Sequence, residues 1–236
     1  MARVLVTRPQ PAAARTAAKL ASLGHQPIVL PLAEALHDLS AARDGLAQNP
    51  KAIALTSAEA IRVLAKLGTG LQPFLATPLF AVGTATAEAA RSLGFKTVLT
   101  GPGTGEGLAR LVLKKTPAPL LYLAGTPRSS GFEEALILVG RQITIRECYK
   151  MIDIDHPPGT LETIFAGSPP YAVLLYSPET ARRFFSLDVL KESPQKLEST
   201  RLLCISDAVA RVVPSAFDSA ISVSLNPDEA SLLGLL

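Results

Sequence analysis

Six serine, threonine and glycine residues follow apolar, strand-like runs, and these positions are the best suited in the sequence to bind an anion. A helical pattern starts within a few residues of each, and the first turn of a helix offers free backbone N–H groups and the positive end of the helix dipole. Serine and threonine serve there first as N-caps. Two such rims facing each other would hold a ligand with many carboxylates. The six are Thr7, Ser57, Gly83, Gly125, Ser177 and Ser206.

A glycine-rich loop, "TGPGTGEG", follows the strand-like run that begins at Thr97. Its glycines are Gly101, Gly103, Gly105 and Gly107, so their spacing is G-x-G-x-G-x-G. A dinucleotide fingerprint needs G-x-G-x-x-G, and a P-loop needs a closing Gly-Lys-Ser/Thr. The spacing therefore favours a plain strand-to-helix connection over a nucleotide site.

Conspicuous catalytic patterns are missing from the sequence. His25, His37 and His156 are scattered without metal-ligand spacing, and each is expected at a turn or on the surface. The G-x-S-x-G elbow of serine hydrolases is absent. Cys148 and Cys204 lie in apolar strand-like runs, and acidic residues mostly lie beside Lys or Arg on helices, as on a solvated face. The sequence thus indicates a protein that binds and orients its ligand rather than one that attacks it with a nucleophile.

Composition excludes several other classes of protein. Hydrophobic residues make up 48% of the 236 residues and charged residues 18%, which is typical of a globular protein with a good core. A net charge of +3 without a long basic run argues against nucleic acid as a partner. Apolar runs stay shorter than the roughly 18 residues that span a membrane. The N-terminal residues lack a signal-peptide pattern, and a cytoplasmic protein is expected.

Strand-like and helical patterns alternate along the whole chain. The pattern starts with "RVLVT" and "PQPAAARTAAKLASLG" and continues to "AISVSL" and "PDEASLLGLL". Alternating strands and helices predict an α/β fold with parallel sheets covered by helices on both faces. About ten strands are too many for one doubly wound sheet of ordinary size, so the sequence favours two five-stranded flavodoxin-like sheets.

Two segments of the chain echo each other. "LTSAEAIR" (55–62) and "LYSPETAR" (175–182) share Leu, Ser, Glu and Arg in register, and a further strand–helix unit follows each. Duplication of a half would produce this pattern, and so would the general likeness of any two βα units.

Five motifs, in order, resemble those of bacterial uroporphyrinogen-III synthases. The opening stretch with Thr-Arg-Pro and Leu-Gly-His resembles the start of that family, and later segments resemble its Thr-Ser, Val-Gly, Tyr-containing and Ser-Pro signatures. The set covers essentially the whole chain, although each motif alone is weak. The segments are "VLVTRPQPAAARTAAKLASLGHQPIVLPL", "ALTSAEAIRVL", "LFAVGTATAEAARSLGF", "LLYLAG" with "ECYKMI", and "AVLLYSPETARRFF".

The resemblance implies a fold of two flavodoxin-like, doubly wound parallel-sheet domains joined by a two-strand hinge. Domain one would be discontinuous and comprise residues 1–36 plus 152–236, and domain two would comprise residues 37–151. The hinge would lie near 31–36 and 148–154, which would explain the long strand-like run "RQITIRECYKMI".

The resemblance also implies an activity. Members cyclise hydroxymethylbilane, a linear tetrapyrrole with eight carboxylate arms, losing water and inverting ring D through a spiro intermediate. They use no cofactor or metal, and a monomer is expected. The small-molecule substrate would be the only partner. A non-catalytic two-lobed protein that binds a polycarboxylate remains an alternative, as does a nucleotide-binding regulator.

Site residues follow from the motif positions that match the family. Tyr149 matches the family's crossover tyrosine, which would assist departure of the hydroxyl. The expected substrate-binding residues are Arg8, Ser57, Gly83, Thr86, Gly125, Ser177 and Ser206.

The sequence departs from the family pattern in two places. The late turn "ISDAVA" has Ser206 in place of a glycine, with Ala208 and Val209 at threonine positions, so side-chain binding from that turn is in doubt. Glu59 stands where some members carry a basic residue, which would weaken charge pairing near Ser57.

Overall fold

The chain forms two compact units in a computed structural model that describes residues 1–115, 119–166 and 168–236. Unit 1 comprises Met1–Glu34 and Ile152–Leu236, and unit 2 comprises Ala35–Met151. Both points at which the chain passes between the units fall within strands, β3 and β8 below. The described strands are β1 (Arg3–Val6), β2 (Gln26–Val29), β3 (Ala33–His37), β4 (Ala52–Leu55), β5 (Leu79–Ala81), β6 (Val98–Thr100), β7 (Leu120–Thr126), β8 (Ile143–Asp153), β9 (Ala172–Leu175), β10 (Arg201–Cys204) and β11 (Ile221–Val223).

Helices follow most of these strands, as the alternating sequence pattern predicts. They are α1 (Ala12–Ser22), α2 (Leu39–Ala47), α3 (Ala58–Ala65), α4 (Thr84–Leu93), α5 (Gly105–Lys115), α6 (Gly131–Ile137), α7 (Thr160–Phe165), α8 (Pro178–Phe185), α9 (Asp188–Glu192), α10 (Asp207–Ala210) and α11 (Glu229–Leu233). Short 3₁₀ turns cover Gly68–Phe74, Pro194–Leu197 and Ser215–Ala220.

Each unit is built on one doubly wound sheet. In unit 1 the spatial order is β11-β10-β9-β1-β2 with every pair parallel, which is the flavodoxin-like order 2-1-3-4-5. In the sheet of unit 2 the order is β3-β8-β7-β4-β5-β6, and strands β4 to β8 are mutually parallel. These five strands have the order 3-2-1-4-5, the other common doubly wound arrangement. The second sheet has six strands rather than five because β3, predicted only as an extended stretch, pairs beside β8.

Successive residues of the central strands point to opposite faces of their sheets and build separate cores. In unit 2, Ile53 and Leu55 pack with helices α2, α3 and α4, and Ala52 and Ala54 pack with α5 and α6. In unit 1, β9 divides in the same way between a core with α8 to α10 and a core with α1 and α11. Both faces of each sheet are therefore buried, as parallel sheets require.

Close packing accounts for the glycines of the "TGPGTGEG" loop. A Cβ on Gly105 would lie 2.8 Å from the Phe132 nitrogen of α6, and one on Gly101 would lie 2.9 Å from the Val82 carbonyl oxygen. Side chains at these positions would hold the backbones apart, so glycine is required for helix and strand to approach. The prediction of a tight strand-to-helix connection is confirmed.

Candidate functional site

The carboxyl edge of the sheet in unit 2 brings four of the expected site residues together. Strands β4, β5, β7 and β8 are parallel, so their carboxyl ends meet at one edge. Ser57 and Gly83 follow β4 and β5. Gly125 of β7 pairs with Tyr149 of β8, directly after a register shift at Ala124 and Gly125. A shift of this kind re-aims the next side chain and commonly lies beside a functional site.

Tyr149 lies directly against Gly125. A Cβ on Gly125 would overlap the Tyr149 ring and come within 2.5 Å of its hydroxyl oxygen. Gly125 therefore makes room for the phenol and does not itself offer a side chain to a ligand. The structure thus places Gly125, an expected substrate-binding residue, against Tyr149.

Burial governs the acidity of the Tyr149 phenol. The loss of solvent raises its pKa above 10, and hydrogen bonding to the Ser57 side chain partly opposes this effect. Because a raised pKa favours the protonated form, Tyr149 is a hydrogen-bond and proton donor at neutral pH. Tyr149 and Ser57 thus act on each other, although 92 residues of sequence separate them.

Helices α3 and α4 begin at this same edge. Ser57 caps α3, its hydroxyl accepting the Glu59 N–H at 3.1 Å. Gly83 begins α4 without a capping side chain, so the first N–H groups of α4 have no local side-chain acceptor. Thr86, in that first turn, is buried with 5% of its surface exposed. The two helix starts can both bind carboxylates through main-chain N–H groups.

A partly buried ion-pair cluster that sequence reasoning did not find lies beside Ser57. His37 donates from Nε2 to the Glu59 carboxylate at 2.7 Å, and Arg62 pairs with the same carboxylate. The side chains of His37 and Glu59 are only 10% and 13% exposed. The expectation that His37 lies at a turn or on the surface is therefore wrong, because β3 joins the sheet and carries His37 inside. The Glu59 carboxylate is therefore paired with two basic partners within the chain.

Arg128 is a second residue of this edge that the sequence did not reveal. It follows β7 and donates to the Gly125 carbonyl at 3.2 Å, while Glu133 and Glu147 hold it in ion pairs of 2.5 and 2.6 Å. Glu133 is 17% exposed, so the expected solvated acidic face of α6 is wrong at this residue. These two carboxylates hold the Arg128 guanidinium beside Gly125, the residue that lies against the Tyr149 ring.

The carboxyl edge of the sheet in unit 1 holds the remaining expected residues. Ser177 caps α8, and its hydroxyl accepts the Thr180 N–H at 3.1 Å. Ser206 precedes α10, a helix of only four residues, and its side chain caps no N–H group of the described chain. Thr7 donates to the Leu174 carbonyl at 3.0 Å, so its hydroxyl links two strands.

Arg8 lies in a cluster around Glu229 of the last helix. Its Nη1 donates to Glu229 at 3.0 Å, and its guanidinium lies 4.0 Å from the centroid of the Tyr176 ring. Thr16 and Tyr176 donate to the same carboxylate oxygen at 2.6 and 3.1 Å, and Lys19 pairs with the other oxygen. Arg8, expected from the sequence to bind substrate, therefore already has a carboxylate partner within the chain.

Both cysteines are buried thiols, as expected from their strand contexts. Burial raises the pKa of Cys148 to about 12 and that of Cys204 to about 11, so neither is an activated nucleophile. Within residues 1–115, 119–166 and 168–236, no helix is long and apolar enough to cross a membrane.

Fold and site together define a class: doubly wound α/β proteins with two units, whose sheets carry capped helix starts at their carboxyl edges. The model of the uroporphyrinogen-III synthase HemD family matches residues 14–234, and the chain therefore belongs to the uroporphyrinogen-III synthase family. As a member, it is a cyclising lyase that functions in tetrapyrrole biosynthesis.

Solved structures of similar fold agree with this assignment. The uroporphyrinogen-III synthetase of Helicobacter pylori is 16% identical with a TM-score of 0.66, over 100% of this chain and 98% of that one. A mutant uroporphyrinogen III synthase of Thermus thermophilus is 18% identical with a TM-score of 0.60, over 100% of this chain and 97% of that one. These likenesses confirm the predicted fold class. No curated protein matches the sequence.

Proposed function

We propose that the chain converts hydroxymethylbilane to uroporphyrinogen III and that the carboxyl edges of its two sheets hold the substrate. The observation that carries this proposal is the contact of Tyr149 with Gly125, at the same sheet edge as the helix start at Ser57, in a chain that belongs to the synthase family. This sheet edge therefore has both a proton donor, the Tyr149 phenol, and a helix start whose N–H groups can bind an anion.

Balanced chemistry defines what the site has to do. The substrate hydroxyl leaves with one proton as water and generates an electrophilic azafulvene. Ring D attacks through its substituted carbon and forms a spiro intermediate, which fragments and closes again with ring D inverted. The azafulvene also closes unaided to the uninverted isomer. A tenfold preference for inversion needs about 1.4 kcal/mol of differential stabilisation.

Main-chain N–H groups supply that preference by holding the carboxylate arms in one geometry. In unit 2 these groups come from the helix starts at Ser57 and Gly83, with Thr86 in the first turn of α4. In unit 1 they come from the turns at Ser177 and Ser206, and Arg8 adds a charge while it stays tethered to Glu229. No reacting side chain is needed for this steering, since orientation alone decides the product.

Tyr149 donates the proton, or a hydrogen bond, to the departing hydroxyl. Its pKa, raised above 10 by burial, keeps the phenol protonated at the start of the reaction. Gly125 provides the space in which the ring lies. In this proposal Tyr149 contributes to rate, and the helix starts contribute to the choice of isomer.

The proposal extends to the organisation of the protein. Residues 1–36 plus 152–236 and residues 37–151 would be its two domains, close to the bounds of the two compact units. We propose a monomer that needs no nucleic acid partner. We also propose that it works in the cytoplasm, where its two free cysteines stay reduced.

An isomer assay tests the function directly. Purified protein receives hydroxymethylbilane, and the products are oxidised and separated as isomers I and III. We expect isomer III well above the amount formed without protein. Isomer I alone, at the uncatalysed rate and with tight binding of the substrate, would instead indicate a non-catalytic polycarboxylate-binding protein.

A further inference from the structure

The cluster of His37, Glu59 and Arg62 includes a histidine that the stability of helix α3 does not require. A pair of Glu and Arg three residues apart is a common and weak feature of exposed helix surfaces. The echo segment in unit 1 carries such a pair, Glu179 with Arg182 at 3.3 Å, with side chains 39% and 59% exposed. Glu59 differs because it is 13% exposed and because it has a histidine partner.

One ring nitrogen of His37 is destabilising in this cluster. A carboxylate only accepts hydrogen bonds, so the Nε2 atom of His37 carries the proton that Glu59 accepts. The other ring nitrogen, Nδ1, is buried and has no hydrogen-bond partner among the described residues. A buried polar atom without a partner is destabilising, and it calls for an explanation other than stability.

The cluster is connected to Tyr149 by one short chain of contacts. The Glu59 N–H donates to Ser57 Oγ at 3.1 Å, and the Asp38 N–H, next to His37, donates at 2.8 Å to the carbonyl of Cys148, next to Tyr149. The Glu59 carboxylate is itself held by His37 at 2.7 Å. Movement of Glu59 would therefore move the first turn of α3 and the Ser57 hydroxyl with it.

We propose that His37 and Glu59 are positioning residues for Tyr149, which tie the first turn of α3 to β3, the strand that pairs beside the strand of Tyr149. This inference rests on the proposed function, since it concerns the same site. Neither residue touches the substrate. His37 fixes Glu59 and with it the capped start of α3, and β3, which carries His37, is hydrogen-bonded to β8 directly beside Tyr149.

Other ionisable groups around Tyr149 determine how the loss of a neighbouring charge changes its pKa. Burial raises the pKa of Tyr149 most, Cys148 and the Glu59 carboxylate raise it further, and Arg128 lowers it. Tyr122, on the neighbouring strand β7, also interacts with Tyr149. Loss of the Glu59 charge should therefore move the titration of Tyr149 to lower pH.

The first experiment measures that titration in the intact protein without substrate. The four tyrosines are replaced biosynthetically by 3-fluorotyrosine and followed by ¹⁹F NMR against pH, and the Tyr149→Phe variant assigns the Tyr149 resonance. We expect Glu59→Gln to shift the Tyr149 midpoint to lower pH. Glu179→Gln, which removes the register-equivalent carboxylate from α8, should leave the midpoint unchanged.

The second experiment separates positioning from packing at His37. Glutamine at this position keeps a nitrogen that can donate to Glu59, whereas phenylalanine fills the space without a donor. We expect His37→Phe and Glu59→Gln each to lower the rate of isomer III formation about tenfold, a part of the 10²–10⁴ that a positioned acid supplies. His37→Gln should recover most of that rate.

Two results would overturn the inference. One is a Glu59→Gln variant that loses thermal stability but keeps the Tyr149 midpoint of the parent, which would make the cluster purely structural. The other is a His37→Phe variant as active as His37→Gln. If the parent protein forms no isomer III, the proposed function fails instead. The NMR titration then still shows whether Glu59 acts on Tyr149.

Discussion

Burial and one neighbouring glycine give Tyr149 its chemical character. The raised pKa keeps the phenol protonated, and Gly125 leaves the space that the ring occupies. Each residue alone is ordinary in the sequence, since one is a strand tyrosine and the other ends an apolar run. Their pairing across β7 and β8 is what brings them into contact.

Replacement of Tyr149 by phenylalanine tests the role of the phenol. The substitution keeps the ring and removes the donor, so the rate of isomer III formation should fall about 10²-fold, the low end for a general acid. The fraction of isomer III among the enzymatic products should change little, because the helix starts still orient the arms. Product analysis against time measures both quantities. An unchanged rate would refute this role and leave the family assignment standing.

Replacement of Gly125 by alanine should displace the phenol without removing it. The new methyl group would overlap the Tyr149 ring, and we expect a loss of activity similar to that of Tyr149→Phe with a loss of stability of about 1–3 kcal/mol. Gly70→Ala is the matched control, because a Cβ there meets no atom within 4 Å. Kinetics and thermal unfolding of both variants decide the matter. Full activity in Gly125→Ala would show that the ring position is not critical.

Residue types in the sequence predicted Tyr149 and its helix starts but not their charged neighbours. A motif match pointed to Tyr149, and serine or glycine after a strand pointed to the turns. His37 and Arg128 had no such signal, and Glu59 was noted only as a departure from the family pattern, because the pairs His37–Glu59 and Arg128–Glu147 join different elements. Only pairing of β3 beside β8 reveals that His37 is inside.

At the scale of elements, the two echo segments have the same local structure. Ser57 and Ser177 both have extended backbones, with φ near −153° and −157°, and each caps an eight-residue helix that follows a central strand. Each helix also carries a Glu–Arg pair three residues apart. Local sequence therefore determined these starts, because capping and helix periodicity depend on near neighbours.

The last helix, α11, is stabilised by the contacts of one carboxylate and not by its own length. It has five residues, too few to be stable alone. Glu229 receives hydrogen bonds from Arg8, Thr16 and Tyr176 and pairs with Lys19. Burial raises the pKa of Glu229, but Lys19 and Thr16 outweigh it, and the pKa is lower than 4.5.

Glu229 should make stability depend on pH. A lowered folded-state pKa means that the carboxylate stabilises the fold above its unfolded-state pKa and that this contribution is lost as pH falls through the folded-state value. We expect Glu229→Gln to lower the free energy of unfolding at pH 7 by about 1–3 kcal/mol. The difference from the parent should shrink below about pH 4. Denaturant titrations across pH measure this, with Glu179→Gln as control, and a pH-independent difference would contradict it.

At the scale of the whole molecule, each of the four hydrophobic cores draws its residues from one unit. Leu55 of β4 and Leu175 of β9 are fully buried equivalents, each at the end of a central strand before a serine cap. Separate cores imply that a cavity in one sheet weakens that sheet first.

Leucine-to-alanine substitutions test this separation. Leu55→Ala and Leu175→Ala should each cost about 2–5 kcal/mol, the usual range for a buried leucine. Hydrogen exchange followed by mass spectrometry should show Leu55→Ala loosening residues 35–151 and Leu175→Ala loosening the other unit. Equal loss of protection in both units from either variant would mean that the protein unfolds as one cooperative body.

The sequence by itself determined the alternation of strands and helices, the burial of both faces of the sheets, the helix starts and the family. These features depend on periodicity and on neighbours a few residues away. The tertiary structure alone decided the order of strands, the sixth strand β3, the contact of Tyr149 with Gly125 and the enclosure of Glu59 by His37. Strand order depends on which strands pair across the helices that connect them, and the hydrophobic pattern within one segment does not encode its pairing partner.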